Sequence, residues 1–223
     1  MLKDLILNNL IMKIMLLLIC LLTSPVFINA QKSTDIRLIR ENYELYTKAL
    51  LTFDGKSAVD YVTQNTIDYY GKLNELVKHG DSATVAKSPL MDRFMVFRIR
   101  HQMSLEPLSF YSGRELLIYA ITSGLIGKNS ARDIILDKIS VKGNEAIAGA
   151  KKGKEIAGRF YFKKENNKWR MNLVPLIDET SAYLSSDLKK RSVKENDFIH
   201  ELIQSVNESP VDKGIYWLPT EGK

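Results

Sequence analysis

Cysteine is almost absent from this chain: among 223 residues only Cys20 carries a thiol, and it lies inside the apolar run from Ile14 to Leu22. Beyond that run nothing remains from which to build a disulfide, a thiolate nucleophile or a zinc–thiolate cage, so the fold must be held by its apolar core. Histidine is scarce too. His200-Glu201 opens the helical pattern of a zinc protease, but Gln204 stands where the second imidazole ligand belongs. No glycine-rich phosphate loop follows a strand, and no Gly-x-Ser-x-Gly elbow is present. Ser186-Asp187-Leu188-Lys189 has a serine–lysine spacing without the Ser-Asp-Asn and Lys-Thr-Gly companions that would give it meaning. No metal and no cofactor are expected.

Long apolar runs are also missing. Ile14 to Leu22 is too short to span a bilayer, and extending it backwards meets Lys13, Asn9 and Asn8. Lys13 precedes it, Thr23-Ser24-Pro25 follows, and Ile28-Asn29-Ala30-Gln31 comes next. That order reads as a secretory signal over residues 1–30, cleaved after Ala30, with a periplasmic or secreted product. An uncleaved anchor is the rival reading; lipid attachment at Cys20 is opposed by the bulky Ile19 before it. Translation from Met12 would give a more typical leader than translation from Met1, whose leader contains Asp4. Basic residues outnumber acidic ones, 32 to 26, and they cluster at Lys151-Lys152 with Lys154, at Lys163-Lys164 and at Lys189-Lys190-Arg191. These clusters fall in turns or a helix end without interleaved stacking aromatics, so they read as solvated faces and nucleic acid is not an expected partner.

What the sequence does contain is periodicity. Ile36, Ile39, Tyr43, Tyr46, Leu50 and Phe53 recur at helical steps over Asp35 to Phe53, and Val59, Val62, Thr66, Tyr69, Leu73 and Leu76 repeat the spacing through Val77, with a bend near Thr63 to Asn65. The two helices are expected to pack on each other. Ser88-Pro89 looks like a cap before a buried helix, although Met95, Phe97, Ile99, His101 and Met103 also alternate as a strand would, and over residues 88–103 both readings stand. Ser112-Gly113-Arg114-Glu115 is a capping box opening a helix to about Ile126, ended by Gly127. From Ala131 the period shortens. Asp133 to Val141, Glu145 to Ala150 and the two arms of Ile156 to Asp178 predict a four-strand antiparallel meander. Thr180 to Lys190 and Lys194 to Ser209 read as helices, and the tail Ile215 to Pro219 carries enough apolar surface to dock. The predicted class is α+β: N-terminal helices on a curved antiparallel sheet, with a C-terminal helical extension over residues 179–223.

Val141-Lys142-Gly143-Asn144-Glu145-Ala146, then Gly158-Arg159-Phe160-Tyr161-Phe162 and Lys168-Trp169-Arg170-Met171-Asn172-Leu173, with Asp54-Gly55-Lys56-Ser57-Ala58-Val59 between the first helices, resemble exported members of the nuclear transport factor 2-like superfamily. The likeness covers residues 36–178. It departs from the usual pattern between Ser82 and Phe110, which is helical here where the family often has a strand pair. The resemblance implies a cone-like fold whose sheet curls round a cavity, and in many members a homodimer through the sheet face. It implies no single activity.

Enzymes of this kind place a carboxylate or histidine in the cavity with a tyrosine from the first helix. Here the candidates are Asp137, in phase with Ile135, Ile139 and Val141 on a regular strand, together with Tyr46 and His101. A bulge or the sheet edge would instead turn Asp137 to water. Tyr43, Phe160, Phe162, Trp169 and Met171 are the candidate pocket wall, and equally the packing a sheet under helices requires. The reading favours an exported, non-catalytic module that binds a small apolar ligand or contacts a partner; the alternative is a cofactor-independent lyase or isomerase.

Overall fold

The computed structural model describes residues 25–103, 105–126, 131–205, 211 and 214–217. The expected leader up to Ser24, with Cys20 and both candidate start methionines, Gly127, the end of the last expected helix and Leu218-Pro219 lie outside the described residues.

Helix α1 spans Pro25–Leu51, ten residues longer at its start than periodicity predicted. After Asp54, whose carboxylate caps the next turn by accepting from the Ser57 amide, come α2 (Gly55–Ala58) and a 3-10 turn (Val59–Tyr61). The predicted bend then becomes a break. Thr63 is extended, its hydroxyl accepts from the Thr66 amide, and α3 (Gln64–His79) starts behind it. The break has a use: Val62 bridges Met171 in parallel and the Thr63 amide donates to the Met171 carbonyl at 3.0 Å, so the chain closes one sheet edge in passing. Helices α4 (Ser82–Lys87), α5 (Leu90–Gln102), α6 (Leu105–Phe110) and α7 (Gly113–Thr122) follow.

Within residues 88–103 the stretch Leu90–Gln102 is therefore helical, and the strand reading from Met95 is overturned. Leu90, Met95, Val96, Phe97, Ile99 and Arg100 are all buried, so α5 is covered on most of its circumference, and an all-round apolar helix contains an alternating subset by chance. The cap differs as well. Pro89 occupies the cap position with no side-chain bond, Ser88 turns back to the Thr84 carbonyl, and the Met91 amide donates instead to Ser181 Oγ. Ser112 and Glu115 form the expected capping box at the start of α7.

The sheet is an antiparallel meander in the order β1 (Ile134–Lys142), β2 (Glu145–Lys152), β3 (Glu155–Glu165), β4 (Lys168–Asn172). With helices before and after it, the class is α+β. Asn166 and Asn167 both have positive φ, 50° and 61°, the backbone that a two-residue hairpin between twisted strands requires and that asparagine tolerates. The second arm of that hairpin ends at Asn172, not Asp178: Pro175 lies in the first turn of α8 (Val174–Lys190), so residues 174–178 are helical. Helix α9 spans Glu195–Ser205, and a 3-10 turn over Gly214–Trp217 sets the Trp217 ring edge-on to Phe97 at 4.8 Å.

Helix α1 lies against β4 and β1, while α3 packs on α7 and α5. Among the described residues these are the closest backbone approaches, and α1 meets α3 through side chains, Tyr46 standing beside Tyr70. Two alignments explain this. Asp35, buried about three turns into α1, accepts from Trp169 Nε1 at 2.8 Å and Lys164 Nζ at 2.9 Å, which pins α1 to the last hairpin. Gly113 meets the Ile67 carbonyl and the Gly71 amide so closely that a Cβ there would overlap them, which draws α3 to α7. The helices are held to different neighbours, and a cavity is left between them.

Candidate functional site

The cavity has a volume of about 340 Å³, at the small end of ligand sites. Helix α1 lends it Tyr43, Tyr46, Thr47 and Leu50; α3 lends Tyr69 and Tyr70; α5 lends Met95. Leu125, Ile126, Ala131 and Ile134 form one end, Ala157 and Phe160 come from β3, and Leu173, Leu176, Ile177 and Thr180 close the floor. Among the described residues no Asp, Glu, His, Lys or Arg lies in this lining.

Four tyrosines dominate its polar character, each in a different state. Tyr43 packs its ring on Phe160, centroids 5.1 Å apart, and donates its hydroxyl to the Ile134 carbonyl at 3.1 Å. That bond lies between the cavity and an outer groove of about 620 Å³, which shares Tyr43, Thr47 and Ile134 and runs along β1. Tyr69 donates to Asp92 Oδ1 at 2.7 Å. Tyr46 and Tyr70 are 5 % and 4 % exposed, and among the described residues neither hydroxyl has a protein hydrogen-bond partner. Burial pushes both phenols well above their usual range, each raised further by a neighbouring tyrosine, Tyr43 beside Tyr46 and Tyr46 beside Tyr70. They are neutral donors. Tyr69 is raised by burial and then by the Asp92 charge.

Asp92 stands in the first turn of α5, where the helix N-terminus favours an anion. Burial nevertheless raises its carboxyl, the Tyr69 hydroxyl pulls it back, and Asp178 raises it again. It does not line the cavity itself; it reaches it through Tyr69.

The sequence-predicted residues divide. Tyr43, Tyr46 and Phe160 meet in the cavity. Phe162, Trp169 and Met171 are buried in the packed core, on the same inner face but nearer α1, and do not line it. Asp137 is outside. The register of β1 slips between Leu136 and Ile139, so Ile134 and Leu136 point inward before the bulge and Ile139 and Val141 after it, while Ile135 is 61 % exposed. Asp137 pairs with Lys151 at 2.9 Å, and that lysine holds its carboxyl below the usual range, the opposite of what a proton-abstracting base needs. His101, half-buried in the last turn of α5, does not line the cavity either. Sequence reasoning missed Tyr70 and Asp92. The signals were a tyrosine pair within one helix and an acid inside the apolar run Leu90 to Phe97.

Among the described residues no group of three or more His, Cys, Asp or Glu could hold a metal ion, and no helix is long and apolar enough to cross a membrane. No protein-family model, no curated protein and no solved structure matches the chain.

Proposed function

We propose that this protein is an exported binding module of the nuclear transport factor 2-like kind, and that its tyrosine-lined cavity holds a small, largely apolar ligand. The observation that carries the reading is the cavity itself: about 340 Å³ of space whose described lining is apolar except for hydroxyls, one of which, Thr47 Oγ1, is buried without a hydrogen-bond partner. Buried donors are normally satisfied, and an apolar cavity with a few convergent polar groups is the usual form of a small-molecule site. Helices on a four-strand meander, with the cavity at their junction, support the superfamily resemblance. The lyase or isomerase alternative has lost its nominated base, since Asp137 and His101 lie away from the lining.

Native mass spectrometry of the protein recovered from the exported fraction tests this. Ala157 lines the cavity from an exposed stretch of β3, so Ala157→Trp adds bulk to the cavity without disturbing the buried core. The expected result is a bound small molecule on the parent chain, exchangeable for an added apolar probe, and its loss from the variant. A parent chain that carries nothing and binds no apolar probe ends the proposal.

A further inference from the structure

One end of the sheet runs past its last strand. β4 pairs with β3 only from Tyr161 onward, so Glu155 to Phe160 and the turn before them have no strand on that side, and every residue from Lys152 to Arg159 is exposed. Register sets what this end displays. Ile135, Lys151 and Ile156 stand opposite one another across β1, β2 and β3, so all three share the outer face, the two isoleucines about 10 Å apart with the lysine between them. Ile135 is 61 % exposed, and Ile156, at 84 %, is the most exposed large apolar side chain among the described residues. Lys152 and Lys154 flank Gly153 in the turn, where φ is +60°. Residues 134–165 hold eight basic and four acidic residues, and of the eight Lys164 turns inward to Asp35. Lys151 and Arg159 are answered by Asp137 and Glu179. The positive surplus is left on the turn and the outer face.

Lysine beside an unpaired strand edge deters pairing between copies. That role needs no isoleucine, and a bare Ile156 works against it. A folded protein partner is a poor match, since lysine is depleted in such interfaces and single aliphatic groups among cations form no apolar patch. Single-stranded nucleic acid would want a stacking surface, but Tyr161, the outward aromatic of β3, is tied by its hydroxyl to Glu179. Anionic lipid suits both residue types: headgroup phosphates take the lysines, and aliphatic side chains enter the acyl boundary one at a time. Ala157, next to Ile156, is exposed and also lines the cavity, so an apolar-walled space opens beside the same tip.

We propose that the β2–β3 end of the sheet is a docking surface for an anionic phospholipid bilayer, with Ile135 and Ile156 entering between headgroups and Lys152 and Lys154 lying on the phosphates. Docking turns the Ala157 side of the cavity towards the lipid.

The test is co-sedimentation of the protein recovered from the exported fraction with phosphatidylcholine vesicles, prepared with and without phosphatidylglycerol. Binding is expected with the anionic vesicles alone, and it falls as salt is raised. Lys152→Gln combined with Lys154→Gln changes only an exposed turn, so the thermal midpoint stays put while the partition coefficient drops about 25-fold, about 5-fold for each lysine. Ile156→Asn is expected to lower it about 5-fold. Lys189→Gln combined with Lys190→Gln removes the same charge at the far end of α8, about 15 Å along the helix from Glu179, and leaves binding unchanged. Equal binding to both kinds of vesicle overturns the proposal, and so does a loss with the α8 pair as large as with the turn pair. A parent chain that ignores both vesicles but is retained on immobilised polyglutamate assigns the face to an acidic protein and overturns the lipid. None of these results bears on the ligand-binding reading, which has its own test.

Discussion

Asp35 joins α1 to the closing hairpin through the Trp169 indole and the Lys164 ammonium, and Gln31 adds a third bond at 3.3 Å. Burial raises the Asp35 carboxyl, but these donors together outweigh it and the group titrates below its usual range. A carboxylate depressed in the folded state stabilises fully above its unfolded value of about 4, and the contribution disappears as pH falls through the folded value beneath that. Asp35→Ala leaves a buried indole N–H and a half-buried ammonium unpartnered, and a loss of about 2–4 kcal/mol is expected at pH 7. Urea denaturation at pH 7 and pH 3 measures it: the gap between parent and variant should shrink at the lower pH, and a gap that stays constant would show that the charge is not what matters. The pin was only half legible in the sequence. Trp169 was read as part of an inner face from strand alternation, which is local; its partner is 134 residues away in sequence and no periodicity reports it.

Element by element, the sequence was a good guide to type and a poor one to junctions. The meander, the capping box and the bend before α3 all rest on neighbours within a turn, and all are visible as spacing. The bulge in β1 is different: nothing in Ile134 to Val141 marks where the alternation slips, because the slip is set by α1, whose Arg40 guanidinium donates to the Leu136 and Asp137 carbonyls at 2.8 and 2.9 Å on the open edge of that strand. One residue of slip moved Asp137 from the cavity to the surface. Helix ends depend on distant groups in the same way. Arg100, buried within α5, donates to the Leu76, Val77 and Gly80 carbonyls at the end of α3, and burial brings its guanidinium down to about 10, still charged at neutral pH. Arg100→Met is expected to cost about 2–4 kcal/mol by taking the guanidinium donors away from those carbonyls, read as an earlier urea midpoint with α3 amides losing hydrogen-exchange protection first. Gly113→Ala tests the α3–α7 crossing. Its Cβ meets backbone, which cannot swing aside, so a loss of at least about 2 kcal/mol is expected; a thermal midpoint within 2 °C of the parent, roughly the shift for half a kcal/mol in a chain of this length, would show that the helices can part.

At the scale of the molecule the outer face of the sheet decides whether copies associate. Ile135, Ile147 and Ile156 are exposed there, but Lys142, Lys151, Arg159 and Lys163 stand among them. A homodimer through this face, which the superfamily resemblance implies, would have to desolvate those cations for three isolated aliphatic groups. Sedimentation at low ionic strength is expected to give a monomer, and a concentration-dependent dimer under those conditions would overturn that expectation.

The Asp35 pin also sets a timetable. Helix α1 leaves the ribosome well before Trp169 exists, and at synthesis rates of about 5–20 residues per second the wait for the 134 residues between Asp35 and Trp169 is roughly 7–27 s. Its apolar stripe has no sheet to cover until the last hairpin forms, and contacts this distant in sequence make folding slow. For that interval the chain presents an amphipathic helix with an open face to whatever it meets first, so any factor that carries it unfolded has its handle at the N-terminal end.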